Sequence, residues 1–326
     1  MPILEVKDLM MYYNTLKGDV KAVDDIRFSL QKGEALGLAG ESGCGKTSVA
    51  MAIMRLLPYN ARTIKGEILL EGRNILELSD DEVRRSVRWR RISMVPQAAM
   101  NALNPVFKIS DQIVEAIITH EQVSEGEARR RTKELLKMVG IDPSRADHYP
   151  HEFSGGMRQR AMTAMALACN PEIVIADEPT TALDVIVQAQ VLKVIKTLQR
   201  ELGLSMILIS HDLSVVAQTC EKAIIMYAGK IAEDATTTEL FAHPLHPYSI
   251  GLIGAFPSVI GERKRLMSIT GSPPNLLDPP SGCRFHPRCP FAKEICNIEI
   301  PSLIETHEDH FVSCHMVNKH AKYGVI

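Results

Sequence analysis

An α/β fold is predicted by three observations in this chain of 326 residues. A short apolar strand, Glu34-Ala-Leu-Gly-Leu-Ala39, runs into a glycine-rich turn that opens a helical stretch, Ser48-Val-Ala-Met-Ala-Ile-Met-Arg-Leu-Leu57. A second apolar strand, Glu172-Ile-Val-Ile-Ala-Asp-Glu178, ends in two acids. A third, Leu204-Ser-Met-Ile-Leu-Ile-Ser210, ends at His211-Asp212. Fully apolar strands of this length, separated by stretches of helical periodicity, argue for a sheet packed among helices.

The turn itself, Gly40-Glu-Ser-Gly-Cys-Gly-Lys-Thr47, fits the phosphate-binding pattern G-x-x-x-x-G-K-[ST]. Several backbone N–H groups must approach the β- and γ-phosphates closely, so the loop needs residues that tolerate positive φ, and Gly40, Gly43 and Gly45 supply them. Lys46 adds a point charge between those phosphates, Thr47 offers a hydroxyl to Mg²⁺, and the helix beginning there turns its positive end to the anion.

Composition limits the function classes. With 37 Lys and Arg against 39 Asp and Glu, the net charge of −2 argues against nucleic acid as a main partner. No apolar run approaches the roughly 18–20 residues of a membrane span. The start, Met1-Pro-Ile-Leu-Glu-Val-Lys7, is not a signal peptide, and a soluble cytoplasmic chain of about two domains is expected.

In chain order, Ile3–Val6 and Ala22–Leu30 read as strands, with Tyr12 and Tyr13 between them, and Lys65–Asn74 as two strands around a turn. Ser79-Asp-Asp-Glu82 is a capping box for a short basic helix. The strand Arg91–Val95 ends at Pro96-Gln97, where a side chain can reach a metal or water. From about 98 to 170 the pattern is helical: Ile109, Ile113, Val114, Ile117 and Ile118 form one apolar face, and Ser124-Glu-Gly-Glu127 caps a second helix closed by Gly140. Ser154 caps a helix whose first residues are Gly155 and Gly156, leaving free N–H groups for a second anion site. At a strand end downstream of a phosphate loop, Asp177 is placed to order the Mg²⁺ shell and Glu178 to polarise an attacking water.

Taken together, these motifs resemble the ATP-binding subunits of ABC transporters, in the family's order and across some 170 residues. The resemblance implies a P-loop ABC ATPase core with an antiparallel β subdomain and a helical subdomain at about 98–170, spanning residues 1–254, with a cysteine-containing C-terminal extension over 255–326. It implies that Tyr13 stacks on adenine. Gly40, Ser42, Gly43, Cys44, Gly45, Lys46, Thr47 and Ser48 then bind ATP, and Thr47, Gln97 and Asp177 hold Mg²⁺. Catalysis falls to Glu178 as general base with His211 and Gln97. Asp184 lies in the D-loop, and Ser154, Gly155, Gly156 and Met157 form the signature that acts on a facing subunit. Two departures stand out: Phe153 and Met157 replace the usual leucine and glutamine of the signature, and Cys44 replaces the commoner serine, which suggests sensitivity to thiol reagents.

The tail narrows the branch. His243-Pro-Leu-His-Pro-Tyr-Ser249 and Gly282-Cys-Arg-Phe-His-Pro-Arg-Cys-Pro-Phe291 are similar to the oligopeptide/dipeptide importers. That likeness implies a paralogous ATPase partner, two transmembrane permease subunits and an extracellular solute-binding protein, with this chain peripheral on the cytoplasmic face of the membrane. The same branch contains oligosaccharide and nickel importers, and a soluble ABC ATPase is the more distant alternative. Four of the seven cysteines, Cys283, Cys289, Cys296 and Cys314, crowd the end. In a reducing compartment they suit a structural zinc or an iron–sulfur centre better than disulfides. Some members of the branch carry a [4Fe–4S] cluster in this tail, and the resemblance implies one here, with zinc as the alternative and His286, His310 and His315 as nearby competitors. No motif ties the tail to the phosphates, so a structural or redox-sensing role is expected.

Overall fold

The computed structural model of the chain describes residues 1–97, 101–181, 183–255 and 269–317. The first residues of the expected helical subdomain, 98–100, and parts of the expected extension, 256–268 and 318–326, lie outside the described residues. The strands are β1 (Leu4–Thr15), β2 (Gly18–Leu30), β3 (Ala35–Ala39), β4 (Ala61–Leu70), β5 (Arg73–Asn74), β6 (Ile92–Val95), β7 (Ile173–Asp177), β8 (Ser205–Ser210), β9 (Lys222–Tyr227), β10 (Lys230–Thr236), β11 (Ile304–His307) and β12 (His310–Val312). The α-helices are α1 (Lys46–Ile53), α2 (Asp80–Glu82), α3 (Ile109–His120), α4 (Glu125–Met138), α5 (Gly155–Ala166), α6 (Val185–Leu202), α7 (Leu213–Thr219), α8 (Thr237–Ala242), α9 (Pro247–Gly254) and α10 (Glu294–Ile298). Short 3₁₀ and π turns fill some of the gaps. The chain packs as two compact units: 1–3, 30–35 and 74–209 in one, and 4–29, 36–73 and 210–326 in the other.

The first unit holds three parallel strands, β6, β7 and β8, paired in that order, with Ile173 opposite Ile92 on one side and Ser205 on the other. Their apolar continuity follows from burial on both faces; every residue of β7 and β8 is buried. The helical segment packs α3, α4 and α5 around Ile109, Ile113, Ile117, Leu136, Val139 and Ala161. Ile118 departs from the apolar face assigned to it and is 45% exposed. At 100° per residue it lies opposite Ile109, while Ile113 and Ile117 stay within a turn's width of that line. Ser124 Oγ accepts from Glu127 N at 3.3 Å, and Gly140, at φ 72°, follows the cap residue Val139. Ser79 and Glu82 form the reciprocal capping box, and a π turn over Val83–Val87 continues the short helix α2.

The second unit contains a sheet ordered β2-β1-β4-β5, in which β1 and β4 are antiparallel, with Leu4 opposite Leu70 and Tyr13 opposite Ala61. Tyr12 and Tyr13 thus lie within β1 and not between strands. The β-prone run Met10-Met-Tyr-Tyr13 carries the strand past a bulge at Asp8, whose φ is 47°. A second set of strands runs β3, β9, β10, β12, β11; β3 and β9 are parallel and the remaining pairs antiparallel. The tail therefore contributes two strands to a sheet. Its attachment is buried: the Glu233 carboxylate accepts from Leu245 N at 2.8 Å, His246 N at 2.9 Å and His310 Nε2 at 2.7 Å. Among the described residues no helix is long and apolar enough to cross a membrane.

Candidate functional site: a phosphate loop and an acidic strand end

The phosphate loop joins the buried strand β3 to α1 within the second unit. Gly40 and Gly45 sit at φ 145° and 106°, and a Cβ on either would come within 2.2 Å of a backbone oxygen, Met226 O and Ala22 O respectively. Only glycine fits there. Gly43, also at positive φ, faces open space. The buried Lys46 ammonium crosses the loop and donates to Gly40 O at 2.8 Å and Glu41 O at 3.0 Å. Tyr13 Oη and Ser48 Oγ lie 3.1 Å apart and share a hydrogen bond, tying β1 to the first turn of α1.

Cys44 corrects one expectation. It is 4% exposed, and burial pushes its thiol up, against the pull of the Lys46 ammonium beside it. A thiol that is both inaccessible and held in its neutral form is a poor nucleophile, so the expected sensitivity to thiol reagents does not follow.

In the first unit, β7 ends at the fully buried Asp177, and the chain turns sharply at Glu178, whose φ is +48°. A left-handed non-glycine residue is held there by its surroundings. Glu178 N donates to Ile209 O at 2.9 Å, and the carboxylate accepts from Gln97 Nε2 at 3.2 Å and Thr181 Oγ1 at 2.9 Å. Residues 81 apart in sequence thus meet at the ends of neighbouring strands. Thr181 was missed by sequence reasoning; its only signal was its place in the polar run after the acids. Asp184 Oδ1 accepts from Val187 N at 2.9 Å and caps α6.

Ser154 caps α5, accepting from Met157 N at 3.3 Å, and Gly155 and Gly156 are its first residues. A Cβ on Gly156 would lie 2.3 Å from Val187 Cγ1, so that glycine lets α5 approach α6. The two signature departures share one neighbour: the Arg145 guanidinium stacks over the buried Phe153 ring at 5.4 Å and donates to Met157 Sδ at 3.7 Å. His211 follows β8 in the second unit, exposed, just before the α7 cap Asp212.

The four tail cysteines converge without forming a metal-binding group. Cys283 N donates to Cys296 O at 2.8 Å. Burial pushes the thiols of Cys283, Cys289 and Cys314 up, the last to about 11, and the neighbouring tail thiols add to each shift. Among the described residues, however, no set of three or more His, Cys, Asp or Glu side chains is arranged to hold a metal ion. The three histidines are engaged elsewhere. His286 Nδ1 lies 2.9 Å from Cys283 O, His310 meets Glu233, and His315 Nε2 lies 2.8 Å from Glu299 O. As the side chains stand, they do not fit the expected cluster.

Comparison with known proteins then settles the family. The model of the ABC transporter family matches residues 23–181, and that of the oligopeptide/dipeptide transporter C-terminal region matches residues 232–296. A probable peptide ABC transporter ATP-binding protein of Sinorhizobium fredii is 47% identical over 97% of this chain and 96% of its own length. The chain is an ABC transporter ATP-binding subunit of the oligopeptide/dipeptide branch. The dipeptide transport ATP-binding protein DppD of Bacillus subtilis is 44% identical over 99% of the chain and 97% of its own length. The oligopeptide transport ATP-binding protein OppD of Escherichia coli is 47% identical over 92% and 89%. Among solved structures, a dimeric post-hydrolysis state of the ATP-binding cassette MJ0796 bound to ADP and Pi matches at a TM-score of 0.65 and 28% identity, covering 72% of this chain and 98% of that one. This subunit is therefore an ATPase whose hydrolysis is coupled to transport.

Proposed function

We propose that this ATPase powers import of di- and oligopeptides from a peripheral position on the cytoplasmic face of the membrane. The observation that carries the reading is the match of residues 232–296 to the C-terminal region of oligopeptide/dipeptide transporters, joined to relatives named for peptide transport. Its partners are a paralogous ATPase, two permease subunits and an extracellular peptide-binding protein. Residues 1–254 form the ATPase domain and 255–326 the extension.

In this reading Gly40–Thr47 would hold the phosphates, Tyr13 would stack on adenine, Thr47, Gln97 and Asp177 would be the residues that hold Mg²⁺, and His211 would hold the γ-phosphate and water. Glu178 takes the proton of the attacking water, with Gln97 and Thr181 fixing its carboxylate. Ser154, Gly155, Gly156 and Met157 complete the site of the facing subunit. In the assembled complex, Glu178→Gln keeps ATP binding and slows turnover about 10²–10⁴-fold, the usual size of a general-base contribution. Wild-type turnover would remove Glu178 from that role. Peptide identity is tested by ATPase stimulation with the cognate binding protein loaded with peptide; stimulation by nickel or an oligosaccharide alone would reassign the cargo.

For the tail, the resemblance to cluster-bearing members alone supports a [4Fe–4S] centre on Cys283, Cys289, Cys296 and Cys314, since the described side chains as they stand form no metal-binding group. Anaerobic purification then yields a brown protein absorbing at about 400 nm, lost on Cys289→Ser. A colourless protein with stoichiometric zinc would leave the ATPase reading standing and replace the cluster.

A further inference from the structure

The tail segment Cys283-Arg-Phe-His-Pro-Arg-Cys289 has a cysteine at each end and an arginine just inside each position, Arg284 and Arg288. Both arginines reach into the nucleotide half-site of the second unit. Arg288 Nη1 and Nη2 donate to the two carboxylate oxygens of Glu41 at 2.7 and 3.0 Å. Glu41 is the residue directly after Gly40 in the phosphate loop. Arg288 is itself fixed on three further sides: Nε donates to Thr270 O at 2.9 Å, Nη1 to Tyr227 Oη at 3.2 Å, and the guanidinium lies 5.7 Å from the Tyr227 ring centre. Its side chain is 6% exposed. A planar fork pre-organised in this way holds a carboxylate in one orientation, which a flexible ammonium does not.

Glu41 passes that constraint on. Its N–H donates to Tyr248 Oη at 2.9 Å, and its carbonyl accepts from Lys46 Nζ at 3.0 Å. One residue thus connects the tail arginine, the aromatic cluster and the phosphate-binding lysine. The cluster is continuous with the tail, since the buried Phe285 ring lies 5.1 Å from Tyr227 and 5.4 Å from Tyr248. Arg284 makes the second tie. It donates to Ala228 O and to Asp24, whose other carboxylate oxygen accepts from Tyr12 Oη at 2.6 Å, next to Tyr13. Gly229, after Ala228, donates its N–H to Cys44 O in the loop at 2.9 Å. The expectation that nothing joins the tail to the phosphates is therefore overturned.

We propose that the Cys283–Cys289 segment is a strap that sets the conformation of the phosphate loop, with Arg288 as a positioning residue for nucleotide binding acting through Glu41. It follows that the state of the extension and the occupancy of the loop are linked: whatever loosens the strap weakens nucleotide binding, and nucleotide binding tightens the strap, because the coupling is reciprocal. The inference rests on Gly40–Thr47 being the nucleotide loop, and Lys46→Ala tests that assignment separately.

The experiment uses the full chain and, for turnover, the assembled complex. Binding of Mg²⁺ with a fluorescent non-hydrolysable ATP analogue is measured for wild type, R288A, R288K, E41Q and the R288A/E41Q pair. R288A is expected to raise Kd about 5- to 20-fold, within the range of coupling between linked sites, while turnover at saturating ATP stays within about twofold. R288K recovers only part of the affinity, because a point charge does not reproduce the fork. The double variant is no weaker than the weaker single one, as expected for residues that act through each other. Hydrogen exchange gives the reverse arm: nucleotide slows the amides of His286, Arg288 and Cys289 in wild type and not in R288A. If R288A fails to fold, E41Q approaches from the loop side with the same two readouts. Wild-type affinity in a folded R288A, strictly additive losses in the pair, or a fall in turnover with Kd unchanged would each overturn the strap. Wild-type affinity in K46A would instead overturn the assignment of the nucleotide loop.

Discussion

His246 offers a quantitative test of how the tail is joined to the rest of the second unit. Its ring is 3% exposed, caps α9 by accepting from Tyr248 N at 3.0 Å, and lies beside the Glu233 carboxylate that also receives His310. Burial pushes its pKa down from 6.5 to about 4, although Glu233 and the backbone of Ser313 favour the charged form. Here the folded pKa lies below the unfolded one, so between these values the unfolded chain binds more protons than the native one. Stability is then lost as pH falls below the unfolded value and levels off below the folded one. At about pH 5 the unfolded imidazole is nearly all protonated and the native one nearly all neutral, a difference worth about 2 kcal/mol, with a ceiling of about 3 kcal/mol at lower pH.

Carboxylates contribute their own slope at low pH, so the measurement is a difference. His246→Asn keeps a side-chain acceptor at the cap and removes the titration. Urea unfolding followed by far-UV circular dichroism, at about pH 7.5 and about pH 5, is expected to show wild type losing about 2 kcal/mol more than His246→Asn. Equal losses in the two proteins would mean that the ring is solvated or charged in the native state, and the argument from burial would fail.

Three further outcomes follow from the geometry. Gly40→Ala forces a left-handed alanine against Met226 O, costing at least about 1–2 kcal/mol in backbone strain alone, and is expected to abolish Mg·ATP binding in a fluorescence titration. Gly156→Ala drives a methyl into Val187 and is expected to cost about 1–3 kcal/mol by chemical denaturation, with Val187→Ala in the same chain recovering part of it. Mass-spectrometric mapping after brief iodoacetamide treatment is expected to find Cys44 modified at least about tenfold more slowly in the native chain than in the denatured one, from its burial and raised pKa.

The fold was most legible where one force dominates. Strands β3, β7 and β8 are apolar at nearly every position because both faces are covered, and the glycines of the phosphate loop are needed by backbone geometry alone. The caps at Ser79, Ser124 and Ser154 are local and read directly from residue type. Legibility fell where the neighbours are distant. Tyr12 and Tyr13 belong to β1 because β4 extends far enough to pair with them. The polar segments Ile304–His307 and His310–Val312 are strands only because β10 offers an edge, with Glu233 opposite Val312.

The site shows the same division, and it explains why the tail was misjudged. Lys46, Asp177 and Glu178 could be proposed from the sequence because phosphate and Mg²⁺ chemistry favours a lysine in the loop and acids at a strand end, whereas the role proposed for Gln97 came from the resemblance. Arg288 carries no such signature: 247 residues separate it from Glu41, and an arginine beside a cysteine reads as part of a metal loop. Glu41 sits at a position that the phosphate-loop pattern leaves open to any residue. A bidentate pair between an unrestricted position and a distant tail cannot be found from spacing, because only the folded chain brings the carboxylate and the guanidinium together. Yet that pair is where the cysteine-bearing segment touches the ATPase machinery. A cluster, a zinc ion or four free thiols would each set the stiffness of the strap differently, so what the four cysteines bind is also a question about nucleotide affinity.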